Sequence, residues 1–221
     1  MDHTEAPNLD KYYRVDFINS DVTVESGKKI IGTDTAKIKE AIAQANYVGA
    51  TSNSDTKVIN KGIIDFSKKG VTAIAVDYAQ GINEGIMKMD AANGDNENSV
   101  ALFGASNSKL INEQSGAMEL GENGVGIWGA NKITSSLATW GKNIDITNSG
   151  TIKGISGKAG IFGIYAKNDV ATHAGATSKI THSGDIDLSR NAKSTGIYMT
   201  NGTLNSSGSI SLKESSIGVN A

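Results

Sequence analysis

The sequence predicts an all-β fold of the parallel β-helix type, a solenoid in which short strands stack coil upon coil. Three observations predict it. A phrase of strand, glycine turn and strand keeps returning; apolar residues inside each phrase alternate with period two; and the composition suits tight turns. The phrase is plainest in NSGTIKGISGKAGIFGIYAKN, residues 148 to 168, and in HSGDIDLSRNAKSTGIYMTNG, residues 182 to 202. Gly150 answers to Gly184, Ile152 to Ile186, and Ile164-Tyr165 to Ile197-Tyr198.

The 221 residues include 26 Gly, a single Pro (Pro7) and no Cys, with a hydrophobic fraction of 38%. Glycine with abundant Ser, Thr and Asn serves strands joined by tight turns, and the apolar fraction can furnish a core. Lack of cysteine excludes disulfides, thiolate metal sites and thiol catalysis. With 21 Lys plus Arg against 23 Asp plus Glu, no basic surface points to nucleic acid. The opening MDHTEAPNLDKYYRV lacks the basic, apolar and small-residue regions of a secretory signal, and nothing approaches 18 consecutive apolar residues. The chain stops partway through a repeat at SSIGVNA, so it reads as a piece of a longer protein.

Two regions are expected. Residues 1–50 form an N-terminal segment with the first strands and a short helix; residues 51–221 form β-helix repeats, truncated at the C-terminus. In the first, FINSDVTV (17 to 24) is a plausible early copy with Asp21 in the glycine position. TDTAKIKEAIAQANYVG (33 to 49) puts Ile38, Ala41, Ile42 and Ala45 on one helical face and ends at Gly49, predicting the helix near residues 34–47.

In the second region the opening half of the unit recurs as VINKGIIDF (58 to 66), LINEQSGAMEL (110 to 120), IDITNSGTIKG (144 to 154), KITHSGDIDL (179 to 188) and TLNSSGSISL (203 to 212). The closing half recurs as TAIAV (72 to 76), VALFGASN (100 to 107), VGIWGAN (125 to 131), FGIYAKN (162 to 168) and TGIYMTN (195 to 201). Ile64 with Phe66, Met118 with Leu120, Ile186 with Leu188 and Ile210 with Leu212 fall two apart, as half-buried strands require. One such unit cannot bury its apolar edge alone, but stacked copies bury a continuous column. A propeller would need matched hairpins; here Asn-Gly occurs at 93, 123 and 201, between halves, and the central glycines are unequally spaced. Loops bulging from the corners of a β-helix accommodate that spacing.

Four of the five closing halves set an aromatic beside an aliphatic. If Leu102, Ile127, Ile164 and Ile197 point inward, Phe103, Trp128, Tyr165 and Tyr198 point outward in a row with about 4.8 Å between coils, a surface able to grip sugar rings or a partner protein. The competing readings are loops that cover the row, or a reversed register that puts the rings in the core. Asn19, Asn60, Asn112 and Asn148 occupy turn positions before the central glycine or its equivalent. Inward side chains bonding up the stack explain them more simply than contact with sugar.

DAANGDNEN (90 to 98) gathers oxygen ligands of the kind calcium takes, but departs from the EF-hand spacing and reads as a solvated loop. The three histidines His3, His173 and His182 show no metal-ligating spacing, and no Gly-x-Ser-x-Gly elbow is present. Asp65, Glu119 and Asp187 could face outward one above another, which raises carboxylate catalysis of the glycosidase or lyase kind. No dense acidic cluster surrounds them, so no enzyme, cofactor or metal is expected.

NSGTI followed by FGIYAKN, and GENGVGIWGAN, resemble the passenger repeats of bacterial type V autotransporters, in particular the large fusobacterial outer-membrane adhesins of the RadD-like family. The resemblance covers most of the chain from about residue 50 onward. It implies a right-handed coil, passage through the periplasm to the cell surface, and anchorage by a C-terminal outer-membrane β-barrel. It also implies partners among the surface proteins or glycans of other bacteria or host cells, with roles in coaggregation and virulence. A pure spacer and a carbohydrate-active β-helix enzyme are the alternatives.

Overall fold

A computed structural model describes residues 16–18, 21–32, 44–46, 55–66, 72–77, 79–89, 99–105, 107–130, 143–167 and 177–221. Every strand pairing in it is parallel, and the strands form three sheets of eight, seven and seven. This is a parallel β-helix, and among the described residues there is no helix.

After β1 (Asp16–Ile18), seven coils follow, each contributing one strand to sheet B, then sheet C, then sheet A. They are β2 (Val22–Val24), β3 (Lys29–Gly32) and β4 (Gln44–Asn46); β5 (Lys57–Asn60), β6 (Ile63–Phe66) and β7 (Thr72–Asp77); and β8 (Gln80–Asn83), β9 (Ile86–Met89) and β10 (Val100–Ala105). Next come β11 (Lys109–Asn112), β12 (Ala117–Leu120) and β13 (Val125–Ala130); β14 (Asn143–Asn148), β15 (Thr151–Gly154) and β16 (Phe162–Lys167). The last two are β17 (Thr177–His182), β18 (Asp185–Leu188) and β19 (Thr195–Met199), then β20 (Gly202–Ser206), β21 (Ser209–Leu212) and β22 (Ile217–Asn220). Sheets B and C run across residue 50 without a break in pairing, since β2 pairs with β5 and β3 with β6.

Register turns sequence alternation into columns. On sheet C, Ile64, Met87, Met118, Ile152 and Ile186 stack on one another, all at most 2% exposed. Leu102, Ile127, Ile164 and Ile197 form the matching column of sheet A, fully buried. Each such side chain gains about 1.5–3 kcal/mol from leaving water. A parallel ladder aligns like with like, so a single apolar position repeated per coil suffices to build a continuous core.

The sharp corner from sheet B to sheet C explains the central glycines. A Cβ on Gly150 would stand 2.2 Å from the Glu113 carbonyl oxygen, one on Gly184 2.1 Å from that of Gly150, and one on Gly208 2.2 Å from that of Gly184. The backbone of each coil therefore rests on the glycine of the next. Asn-Gly serves other corners: Asn123, between β12 and β13, and Asn201, between β19 and β20, both take φ of 52°, a left-handed conformation asparagine tolerates.

Three sequence expectations are corrected. The helix near residues 34–47 does not extend through its last part, because Gln44–Asn46 is a strand pairing with β1 and β7; its backbone bonds go to neighbouring coils rather than along a helix. Residues 33–43 lie outside the described residues. FINSDVTV is not an opening half: β1 belongs to sheet A and β2 to sheet B, so Asp21 sits at the A-to-B corner, where its Oδ1 accepts the Lys57 N–H at 2.8 Å. Finally, the interval between Gly62 and Gly116 holds a further coil, GINEGIMKM (81 to 89), whose Gly85 takes the central-glycine corner, a Cβ there standing 2.2 Å from the Gly62 carbonyl oxygen.

Candidate functional site

On sheet A the strand register sets Phe103 beside Trp128, Trp128 beside Tyr165, and Tyr165 beside Tyr198. All four are half-buried, while the neighbouring Leu102, Ile127, Ile164 and Ile197 are fully buried, so the rings occupy the outer face. Phe103 meets Trp128 edge to face with centroids 5.7 Å apart, and Trp128 meets Tyr165 likewise at 5.6 Å. Tyr165 and Tyr198 stack at 4.8 Å with planes 11° apart, the separation that successive strands impose. Phe162 adds a fifth ring, edge-on to Tyr165 at 5.3 Å. Sequence reading passed over Phe162 because strict alternation puts it on the inner face with Ile164. The strand instead turns Gly163 and Ile164 both toward the core: a Cβ on Gly163 would meet the Ile186 side chain at 2.9 Å.

These contacts decide what a partner would touch. Tyr165 and Tyr198 present faces to each other. The Trp128 indole N–H is occluded and has no hydrogen-bond partner among the described residues.

Asn60, Asn83, Asn112 and Asn148 are fully buried at the end of each sheet B strand, in register with one another. Their amides form a directed ladder: Asn60 Nδ2 donates to Asn83 Oδ1 at 2.8 Å, Asn83 Nδ2 to Asn112 Oδ1 at 2.9 Å, and Asn112 Nδ2 to Asn148 Oδ1 at 2.8 Å. His182, also fully buried, continues the row, with Nδ1 3.1 Å from Asn148 Nδ2 and Nε2 3.2 Å from the Ser209 carbonyl. The ladder's main-chain carbonyls cup the next corner, as when the Asn148 carbonyl accepts the N–H groups of Ser183 and Gly184 at 2.9 and 3.1 Å. Asn19 lies outside the described residues, and Val24, paired with Asn60, holds the corresponding place in the first coil. Asn83 and His182 escaped the sequence reading; Asn-x-Gly in INEG and His-x-Gly in THSG were the available signals.

The carboxylates Asp65, Glu119 and Asp187 do share one outer row of sheet C, but lysines alternate with them: Asp65, Lys88, Glu119, Lys153, Asp187. Lys153 Nζ stands 2.9 Å from Glu119 Oε1. Asp187 is held below the usual carboxylate range, chiefly by the Ser189 hydroxyl at 2.6 Å and then by the Ser189 N–H at 3.1 Å. Interleaved ammonium groups keep successive carboxylates of this row two coils apart. Sheet B carries a similar row, Lys109, Asp145 and Lys179. The acidic loop at 90 to 98 lies outside the described residues. Comparison with protein-family models, curated proteins and solved structures finds no match.

Proposed function

We propose that the chain is an adhesive β-helical passenger segment of an autotransporter. It attaches one bacterium to others or to host cells through the aromatic face of sheet A. The observation that carries this reading is the in-register outer row Phe103, Trp128, Tyr165 and Tyr198, widened by Phe162, on a rigid stack. Aromatic side chains supply large contact areas at little conformational cost, and repetition along a solenoid adds contacts without new chemistry. Because Tyr165 and Tyr198 turn faces to each other, those faces are closed to flat stacking on sugar, which favours a protein surface as the partner. The segment works at the cell surface after crossing the periplasm, anchored by a C-terminal barrel of its parent, without cofactor or catalysis.

A second reading, a spacer holding an adhesive tip elsewhere, is favoured by one observation: the rings contact one another and so stabilise the stack itself. Labelled protein incubated with partner bacteria, host cells and a glycan array separates the two. Binding that falls at least about tenfold in a folded Trp128→Ala, Tyr165→Ala double variant, roughly 1.4 kcal/mol or more, supports adhesion through this face. Equal binding by that variant removes the aromatic face, and no binding by the unaltered folded protein leaves the spacer.

A further inference from the structure

His182 is the one ring in a row of amides, and its two contacts reproduce those of an asparagine. Asn60 Nδ2 reaches both Asn83 Oδ1 and the Ile86 carbonyl of the next coil, and Asn112 Nδ2 reaches Asn148 Oδ1 and, at 3.5 Å, the Thr151 carbonyl. Ile86, Thr151 and Ser209 occupy one row of sheet C, so the His182 contact to Ser209 is the same bond two coils on. The imidazole accepts from below at Nδ1, as Oδ1 does, and donates above from Nε2, as Nδ2 does. Only the neutral ring with its proton on Nε2 can do both.

We propose that His182 is an acid-sensitive lock on the stack: the neutral ring closes the amide ladder, and protonation breaks the connection between the fifth and sixth coils. A proton on Nδ1 would face the Asn148 Nδ2 donor. Turning the Asn148 amide to accept it points Nδ2 at the Asn112 Nδ2, and the conflict passes through Asn83 to Asn60. There, Oδ1 already accepts the Gly62 N–H at 3.2 Å, so reversing the whole ladder costs that bond as well. No charged side chain on the packed strands faces the ring. Asp145 on β14, Lys179 on β17, and Asp185 and Asp187 on β18 are all exposed on outer faces, Asp185 taking the Ser209 hydroxyl, and β20 and β21 carry no titratable group.

A proton added to Nδ1 in the folded chain therefore costs the bond from Asn148. The test is denaturant unfolding of the full 221-residue chain at about pH 7.5 and about pH 5, compared with His182→Asn, which extends the amide row by one rung. We expect the unaltered protein to lose stability over this interval and the variant to lose clearly less; equal losses overturn the proposal. Should the variant not fold, imidazole resonances of the unaltered protein decide. A His182 ring that stays neutral with its proton on Nε2, at a pH where a histidine peptide is charged, agrees with the lock, and one that protonates in an unchanged fold overturns it.

Discussion

Tyr165 and Tyr198 lie face to face on adjacent coils, centroids 4.8 Å apart and planes 11° from parallel, while Trp128 and Phe162 close on Tyr165 edge-on. A double-mutant cycle of Tyr165→Ala and Tyr198→Ala, read by denaturant unfolding, is expected to give a coupling of about 0.5–1.5 kcal/mol. Coupling near zero would mean that the rings touch without contributing to the stack.

Gly184 and Gly157 make opposite demands. Gly184→Ala drives a Cβ into the Gly150 carbonyl, a backbone atom that cannot yield, and should cost about 3 kcal/mol or more. Gly157 takes φ of 84° in open space, so Gly157→Ala should cost only the left-handed penalty of about 1–2 kcal/mol. Melting curves that rank the two the other way would contradict the corner geometry.

Ile186 is fully buried between Ile152 and Ile210, whereas Ile31 on the outer face of the same sheet is 57% exposed. Ile186→Asp leaves a carboxylate without a partner in the core and should cost more than about 4 kcal/mol, melting the coils around it; Ile31→Asn, an uncharged change beside Asp65, should stay within about 0.5 kcal/mol. Thermal unfolding of both, side by side, checks which face points inward.

Asn112 sits mid-ladder, so Asn112→Ala strands the Asn83 Nδ2 donor below and deprives Asn148 Oδ1 above. The expected loss is roughly 2–6 kcal/mol, two unsatisfied buried groups at about 1–3 kcal/mol each. Hydrogen exchange should quicken at the B-to-C corners of the fourth and fifth coils before elsewhere; uniform protection would show that the ladder adds nothing beyond the backbone.

Asp187 is held below the usual carboxylate range by Ser189, with Arg190 and Lys153 adding smaller attractions. A lowered folded-state value means its stabilisation is present above about pH 4, where the unfolded carboxyl ionises, and is lost as pH falls through the folded value. A carbon-detected titration should place Asp187 below an unstructured aspartate and return it toward normal in Ser189→Ala. An unchanged titration in that variant would assign the shift elsewhere.

The fold was legible because a parallel stack writes one residue type at one place per coil: Ile152 above Ile186, Gly150 above Gly184, Trp128 above Tyr165. Legibility failed where chemistry was kept and residue type changed. Met87 and Met89 fill the core places that Ile and Leu take elsewhere, which hid the coil around Gly85. His182 stands in for an asparagine because its ring offers the same acceptor and donor. The first coil lacks both signals, with Val24 in the ladder position. Nor could alternation alone reveal Phe162, since two consecutive residues after it turn inward.

The outer rows of sheets B and C impose a parity on the array. Asp65, Lys88, Glu119, Lys153 and Asp187 alternate in sign coil by coil, as do Lys109, Asp145 and Lys179 across the fourth to sixth coils. Deleting the fifth coil would set like charges side by side in both sheets, Glu119 against Asp187 and Lys109 against Lys179, each contact costing about 0.2–1 kcal/mol. Removing or duplicating two together would not. A gene encoding such a solenoid can therefore lengthen or shorten it most readily by whole pairs of repeats.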